Sequence, residues 1–577
     1  LTVTNVTGGS YVGPVFRDEH PPLSNKQALV EAEACLQCGG PCAAAPCVTA
    51  CPAGIDIPGF IGDIADRRPI DAARTIFADN VLGGTCARVC PVEVLCEGSC
   101  VLLKEGRRAI RIGRLQRYAT DQALSAGVNV LETDRVVEKP QSVGVIGAGP
   151  AGLACAAELA KLGYRVVVYE RRDFPGGLVT RGIAPYKQQY EPLPQEVEQI
   201  RGLGVELRFG VCVGKDVGIE QLRSERDAVF LGVGMGDDMP ARVPGENLPG
   251  VWESLRFIET LKLSATKGIA LGRRVAVIGG GNTAIDVARE AVLLRAGELS
   301  AGNTAVDVAR EAIMLGASEV MMLYRRSEAE MPAFAHEIKA ARREGVKIIP
   351  LVAPVEFVGN GRVTGVRCVR MKLGAPDSSG RPRPEPIPGS EFVIEVDTVI
   401  KAIGQKPHSD LFSLFGVEMH GGVVRVDRAM RSSSHGVYAG GDAINGGATV
   451  VQAVRDGREA ARTIDRDLSH APAPARVSKP PPPRVEKSVD GTVRHFQVDF
   501  RLTTAPRLCK GCNICVTTCP TQTLKLDGAN QIEVHDPNAC VFCGLCEARC
   551  PDFAIWIVKG QTERARRTYA PEGELVP

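Results

Sequence analysis

Short unbroken apolar runs, each followed by a glycine-rich turn and then by an apolar stripe at helical spacing, mark the middle of the chain as an alternating strand–helix fold. Ser142-Val143-Gly144-Val145-Ile146 reads as a buried strand, because a parallel strand covered on both faces shows no polar alternation. The stripe from Leu153 to Leu162 reads as the next helix, and Val166-Val167-Val168-Tyr169 as the next strand. The order returns at Val275 to Ile278 and leads to Val320 to Tyr324. Nearer the start, Asp56 to Phe77 has a helical pattern. Around residues 470–484 the pattern stops, and Pro472, Pro474 and Pro480 to Pro483 predict an extended linker.

Length and charge narrow the class. At about 150 residues per domain, 577 residues suggest roughly four domains. With 69 basic and 67 acidic residues and no extended basic block, nucleic acid is not an expected partner. No apolar run is long enough to span a membrane. The first residues, Leu1 to Asn5, show no basic region leading into an apolar one, so no secretion signal is expected.

Cysteines change the picture more. Seventeen of the twenty lie between Cys35 and Cys100 or between Cys509 and Cys550. A disulfide scaffold is normally short, so close-set bunches at the two ends of a long chain read as metal sites in a reducing compartment, and the cytoplasm is expected. Cys509-x2-Cys512-x2-Cys515-x3-Cys519-Pro520 is followed by Cys540-x2-Cys543-x2-Cys546-x3-Cys550-Pro551. This is the two-cluster ferredoxin spacing, in which three thiolates wrap one cubane and the fourth reaches the other. Cys509, Cys512, Cys515 and Cys550 are expected to hold one [4Fe–4S] cluster, and Cys540, Cys543, Cys546 and Cys519 a second. Zinc knuckles do not usually repeat a CxxCxxC triplet with a trailing Cys-Pro.

The glycine-rich turns carry the other chemistry. Gly147, Gly149 and Gly152 follow one strand and open a helix, and Glu170 ends the next strand. Such glycines let the backbone approach a pyrophosphate at the helix N-terminus, and the acid can hold a ribose hydroxyl. Gly279, Gly281, Asn282 and Thr283 form a second turn of this kind. Its later strand ends in Arg325 and Arg326 where the first unit has an acid, which suits a 2′-phosphate and favours NADPH over NADH.

Thr398 to Gly404 and Gly436 to Asp442 resemble the closing segments of flavoproteins that bind two dinucleotides. That resemblance implies a flavin domain interrupted by a nicotinamide domain, with Gly441 and Asp442 at the flavin and a helix starting near Thr449 aimed at its ring. Many such flavoproteins reduce disulfides through a cysteine pair. Only Cys155, Cys212 and Cys368 lie between residues 101 and 508, widely separated, so electrons are expected to leave through the clusters instead.

Residues 30–470 further resemble the glutamate synthase small subunit and the N-terminal half of dihydropyrimidine dehydrogenase. Cys35-Leu36-Gln37-Cys38, Pro46-Cys47, Cys51-Pro52, the run Cys86 to Cys100, Gly176-Gly177-Leu178, both glycine-rich turns and Tyr324-Arg325-Arg326 carry it. The resemblance implies Gly177 and Leu178 at the FAD. It also implies two N-terminal clusters, one on Cys35, Cys38, Cys47 and Cys100, the other on Cys51, Cys90, Cys96 and Gln116. Cys42 and Cys86 are then spare, and Gly39 to Ala45 looks inserted relative to the family, which bears on the choice between Cys42 and Cys47. No FMN barrel follows, only the linker and the ferredoxin module.

The expected chain is multidomain: a helical iron–sulfur domain (1–140), an α/β FAD domain in two parts (141–268 and 397–469) with an NAD(P)H domain inserted (269–396), a linker (470–490) and an α+β ferredoxin-like domain (491–577). The expected function is FAD/iron–sulfur NAD(P)H:acceptor oxidoreductase, with FAD, NADPH or NADH and four [4Fe–4S] clusters. No protein side chain is expected to be catalytic, since the chemistry lies on the FAD. Its partners would be ferredoxin or the other redox subunits of a larger complex, of 2-oxoacid, formate or aldehyde oxidoreductase type. The alternatives are a glutamate synthase small subunit and a non-catalytic iron–sulfur scaffold. One feature lies outside this scheme. Gly281 to Ala301 and Gly302 to Met322 align without gaps, with 13 identities in 21. A right-handed crossover uses one helix, so one copy must be an excursion. The first copy follows its strand directly, so it is expected to bind the nucleotide, with the extra length between residues 292 and 305.

Overall fold

The structure, a computed structural model, describes residues 18–40, 42–131, 137–263, 271–293, 317–377, 380–470, 484–497 and 500–559. The chain divides into two compact units. One comprises Leu1–Pro21 with Thr133–Leu468, the other Pro22–Glu132 with Ser469–Pro577.

The first unit contains two five-stranded parallel sheets. In one, the strands run in the order Val437–Ala439, Ala228–Leu231, Ser142–Ile146, Arg165–Tyr169, Glu206–Arg208. Its central strand is buried at every residue, as an unbroken apolar run requires when helices cover both faces. The strand Val437–Ala439 joins a sheet whose other members end before residue 232, so the second nucleotide domain is an insertion in the first. The other sheet runs Val251–Glu253, Thr398–Lys401, Arg274–Ile278, Glu319–Tyr324, Lys347–Pro350. It takes in Val251–Glu253 and Thr398–Lys401, segments that the sequence reading gave to the FAD domain. Pairing partners are set by long-range register, which local pattern does not carry. A four-stranded antiparallel layer (Val352–Gly359, Val363–Pro376, Pro382–Pro386, Phe392–Glu395) packs beside it, with Phe357, Val366 and Cys368 in a shared core with Ile278 and Leu323.

Only the first copy of the repeat is largely described. It follows the strand Arg274–Ile278 and forms the helix Asn282–Leu293. Of the second copy, residues 317–322 are described, and they run into the strand Glu319–Tyr324. Gly302 and most of the 292–305 excursion lie outside the described residues.

The second unit joins the N-terminal helices to the ferredoxin module. The helical pattern of Asp56 to Phe77 is carried by two helices, Ile57–Ala65 and Pro69–Asp79. The break falls where Arg67 takes a left-handed φ of 60° and Pro69 starts afresh at the first turn. Ile112–Ser125 packs on both, and Gly83–Val89 packs on Ile112–Ser125. The module is built on the antiparallel sheet Arg484–Lys487, Val493–Gln497, Phe500–Thr504, Ile555–Val558. Its first strand falls inside the segment read as linker, and residues 471–483 of that linker lie outside the described residues. Among the described residues, no helix is long and apolar enough to cross a membrane.

Candidate functional site

The first glycine-rich turn makes a tight bend between strand and helix. Gly147 has φ 100°, and its amide donates to Tyr169 O at 2.8 Å. A Cβ on Gly152 would stand 1.9 Å from Gly147 O, so only glycine lets the helix Pro150–Lys161 start this close to the turn. Glu170 lies beside it. Its two carboxylate oxygens accept from the amides of Ala148 (2.8 Å) and Arg172 (2.9 Å), which fixes the carboxylate and leaves lone pairs for a ribose hydroxyl. Gly176 N donates to Ala148 O at 2.8 Å, and a Cβ on Gly177 would reach Gly149 Cα at 3.1 Å. The Gly177-Leu178 segment therefore crosses the turn backbone to backbone.

The closing segment completes this cradle. Gly441 has φ 66°, and a Cβ there would meet Ala151 Cβ at 2.9 Å. Asp442 follows, and its Oδ1 accepts from Ala448 N at 3.0 Å while burial raises its pKa. Thr449 donates from N and Oγ1 to Gln452 Oε1 and precedes the helix Val450–Ser469. The structure thus brings together Gly147, Gly149, Gly152, Glu170, Gly177 and Gly441. Cβ-free backbone and a helix N-terminus fit the pyrophosphate of FAD.

The second turn has the same construction. Gly279 has φ 145°, with a Cβ position 2.2 Å from Ala402 O, and Gly280 lies against the Tyr324 ring. Among the described residues, the Cβ position of Gly281 meets only Pro332, at 3.9 Å, which leaves room beside the turn for the pyrophosphate of a nicotinamide dinucleotide. Asn282 Oδ1 accepts from Phe334 N at 3.0 Å and ties down the loop over the turn. Thr283 sits partly exposed in the first helical turn. The two arginines part company. Arg326 is buried, donating from Nε to Pro382 O (2.9 Å) and from Nη2 to Asp377 Oδ2 (2.6 Å). Arg325 is exposed. The 2′-phosphate role expected of the pair therefore narrows to Arg325.

The cysteines are placed by a recurring local device. Cys51, Cys90, Cys519 and Cys550 each cap the C-terminus of a short helix, and each precedes a proline. A residue before proline is pushed to extended backbone, so the helix must stop at the ligand. Cys35, Cys38, Cys47 and Cys100 line one cavity. Cys519, Cys540, Cys543 and Cys546 line another. Cys509, Cys512 and Cys550 stand within electrostatic reach of Cys515. Among the described residues no three His, Cys, Asp or Glu side chains close on a point for a single ion; in the two cavities named above the cysteines stand around an open space. Burial pushes Cys47 and Cys540 up to about 12, so bound iron would be what holds these two as thiolates. Amide N–H groups of Thr523 and Ala554 point at Cys519 Sγ (3.3 Å) and Cys550 Sγ (3.2 Å), contacts that tune cluster potential. Cys42 is absent from the first cavity's lining.

Around Cys51, Cys90 and Cys96 the structure adds one group beyond the expected set. Cys86, buried, hydrogen-bonds Cys90 through its side chain. Gln116 is buried too, with Nε2 donating to Gly83 O at 2.7 Å, which leaves Oε1 as the end available to a metal. Glu97, which the sequence did not single out, accepts from Gly113 N at 3.0 Å and orients the helix carrying Gln116. Gln116→Leu should change the electron paramagnetic resonance signal of one reduced cluster while flavin content stays normal, and Cys86→Ser should leave all signals in place. The opposite pair of results would make Cys86 the ligand.

Known proteins match both units. Residues 141–457 match the pyridine nucleotide-disulphide oxidoreductase family. Residues 14–128 match the 4Fe-4S domain II of dihydropyrimidine dehydrogenase, and residues 508–554 the 4Fe-4S dicluster domain. The glutamate synthase (NADPH) small chain of Escherichia coli (strain K12) is 37% identical over 466 residues, spanning 78% of this chain and 93% of that one. The NADP(+)-dependent formate dehydrogenase subunit beta of Moorella thermoacetica is 38% identical, over 74% of this chain and 60% of that one. The NADPH-Fe(3+) oxidoreductase subunit beta of Geobacter sulfurreducens (strain DL-1 / KN400) is 37% identical, over 74% and 64%. Within the flavin-containing unit the cysteines are Cys155, Cys212 and Cys368, widely separated in sequence, with Cys155 and Cys368 buried.

Proposed function

The chain belongs to the family of the glutamate synthase small chains, flavin-dependent NADPH oxidoreductases with 4Fe-4S domains, and from that premise we propose that it is the electron-transfer subunit of a larger redox complex. The reading rests on the combination in one chain of two glycine-rich dinucleotide turns, two bunches of closely spaced cysteines and, between residues 101 and 508, only three cysteines widely separated in sequence. When bound, FAD takes hydride from the nicotinamide and releases its electrons singly, and each [4Fe–4S] cluster carries one electron at a time.

The chain's own residues do the positioning. Gly147 to Gly152 and Gly441 keep side chains away from the flavin pyrophosphate, and Glu170 presents a fixed carboxylate to the ribose. Gly279 and Gly281 do the same for the second nucleotide. The cluster ligands proposed are Cys35, Cys38, Cys47 and Cys100; Cys51, Cys90, Cys96 and Gln116; Cys509, Cys512, Cys515 and Cys550; and Cys540, Cys543, Cys546 and Cys519. The partner would be a 2-oxoacid, formate or aldehyde oxidoreductase in the cytoplasm, supported by relatives whose names make them subunits of formate dehydrogenase and Fe(3+) reductase. The second reading, a glutamate synthase small subunit, is favoured by the relatives of that name. A scaffold without catalysis does not agree with membership of this enzymatic family.

Anaerobic purification tests the assignment. The chain should carry one FAD and about sixteen Fe, and NADPH should bleach the flavin. A value near eight Fe would mean that one cysteine bunch is not a two-cluster site. A copurifying amidotransferase chain would select the glutamate synthase reading over the oxidoreductase one. Nucleotide choice has its own check. Arg325→Gln should weaken NADPH binding by about 1.5–3 kcal/mol, the range for a hydrogen bond to a charged group, and leave NADH unchanged. A wild-type preference for NADH would show that no 2′-phosphate is read there.

A further inference from the structure

Gly39 and Gly40 lie where the N-terminal cysteine domain meets the ferredoxin module inside the second unit. Gly39 N–H donates to Val541 O at 2.7 Å. The ring of Phe542 lies against Gly40 so closely that a Cβ there would stand 2.7 Å from Cδ2. That ring cannot easily move aside, because it is 1% exposed and packs edge-on to Phe500 with centroids 5.0 Å apart. Lys559, just past the strand Ile555–Val558, donates from Nζ to Leu36 O (2.6 Å) and Gln37 O (3.4 Å). Arg549 forms a fork on Glu105, at 2.8–3.1 Å, and Glu105 is almost fully covered.

These contacts join particular loops. Residues 36–40 belong to the loop around Cys35 and Cys38, and Val541 and Phe542 lie between Cys540 and Cys543. The loop that wraps one cavity is therefore bonded, backbone to backbone, to the loop that wraps another. The other ferredoxin site has different surroundings. Cys512 is exposed, and Leu508, Ile514 and Phe553 around it are 44%, 40% and 73% exposed.

We propose that Gly39-Gly40 and Val541-Phe542 form a fixed electron-transfer junction, which makes the Cys540 site the entry of the ferredoxin module and the Cys509 site its exit toward the partner. This rests on the electron-transfer reading above and gives it an order. Each transfer across the junction moves one electron, oxidising the iron of the Cys38 site and reducing that of the Cys543 site by one. No bond is made or broken, and the electrons come from the NADPH hydride pair. Gly40 serves because any larger residue would push the two loops apart, and Glu105 with Arg549 holds the flank.

The test uses the full-length holoprotein, reduced with dithionite so that the nicotinamide site plays no part. A reduced neighbour speeds spin relaxation, so the Cys38-site signal in wild type should resist microwave saturation. Glu105→Arg should make it saturate at several-fold lower power with iron content unchanged, and the exchanged pair Glu105→Arg with Arg549→Glu should restore wild-type behaviour. Gly40→Leu should act like Glu105→Arg. Identical saturation in wild type and Glu105→Arg, or no recovery in the exchanged pair, would overturn the junction. Failure of the electron-transfer reading looks different: NADPH would leave the flavin oxidised while the saturation behaviour of all variants stayed as expected.

Discussion

Gly152→Val should yield a protein with iron but without flavin. A Cβ at this position would lie 1.9 Å from Gly147 O, and the atom it meets is backbone, held by the Gly147 amide's hydrogen bond to Tyr169 O. Neither side can yield without moving the strand Ser142–Ile146 or the helix Pro150–Lys161. Overpacking of this kind costs roughly 1–3 kcal/mol where a core can adapt, and here the displaced group is the pyrophosphate cradle itself. Flavin absorbance should fall to background, while iron should stay at about four cubanes' worth, because every cysteine site belongs to the other unit. Retention of stoichiometric FAD would show that the cradle tolerates a side chain and that the nucleotide lies elsewhere.

Arg289→Met should strongly destabilise the flavin-containing unit. Its guanidinium, 4% exposed, bonds Glu337 (3.0 Å), Glu344 (2.8 Å) and Glu19 (2.8 Å) and lies 4.3 Å from the Tyr186 ring centroid. Burial alone would favour the neutral form, yet Glu344 and Glu19 raise its pKa. Removing one partner of a buried ion cluster leaves uncompensated charge and costs about 3–5 kcal/mol. Lys187 softens the loss, since its Nζ also reaches Glu337 (2.6 Å) and Asp286 (2.7 Å). Flavin release on heating should report the loss as a clearly lower midpoint. A midpoint within a degree or two of wild type would mean that the cluster is solvated in solution.

What the sequence made legible was what is encoded locally. Strand Ser142–Ile146 was readable because a doubly covered strand must be apolar throughout. Arg326 shows the limit. An Arg-Arg doublet at a strand end looks like a phosphate clamp, but the partner that takes one of the two, Asp377, stands 51 residues away on a hairpin. Glu105 and Arg549, 444 residues apart, had no local signal at all. The break at Arg67 does leave a local trace, since Asp66-Arg67-Arg68 interrupts the apolar stripe and Pro69 suits the first turn of a new helix.

The insertion of one nucleotide domain within the other has a consequence for how the protein is made. Ala228–Leu231, buried at all four residues, is flanked in the finished sheet by Val437–Ala439. A ribosome adding roughly 5–20 residues per second needs on the order of 10–40 s to cover the intervening stretch of about two hundred residues. Throughout that interval a fully apolar strand has an unpaired edge, the arrangement most prone to pairing with another nascent chain. Production of soluble protein should therefore depend on chaperone capacity and on translation speed between residues 232 and 437 more than on anything in the finished fold.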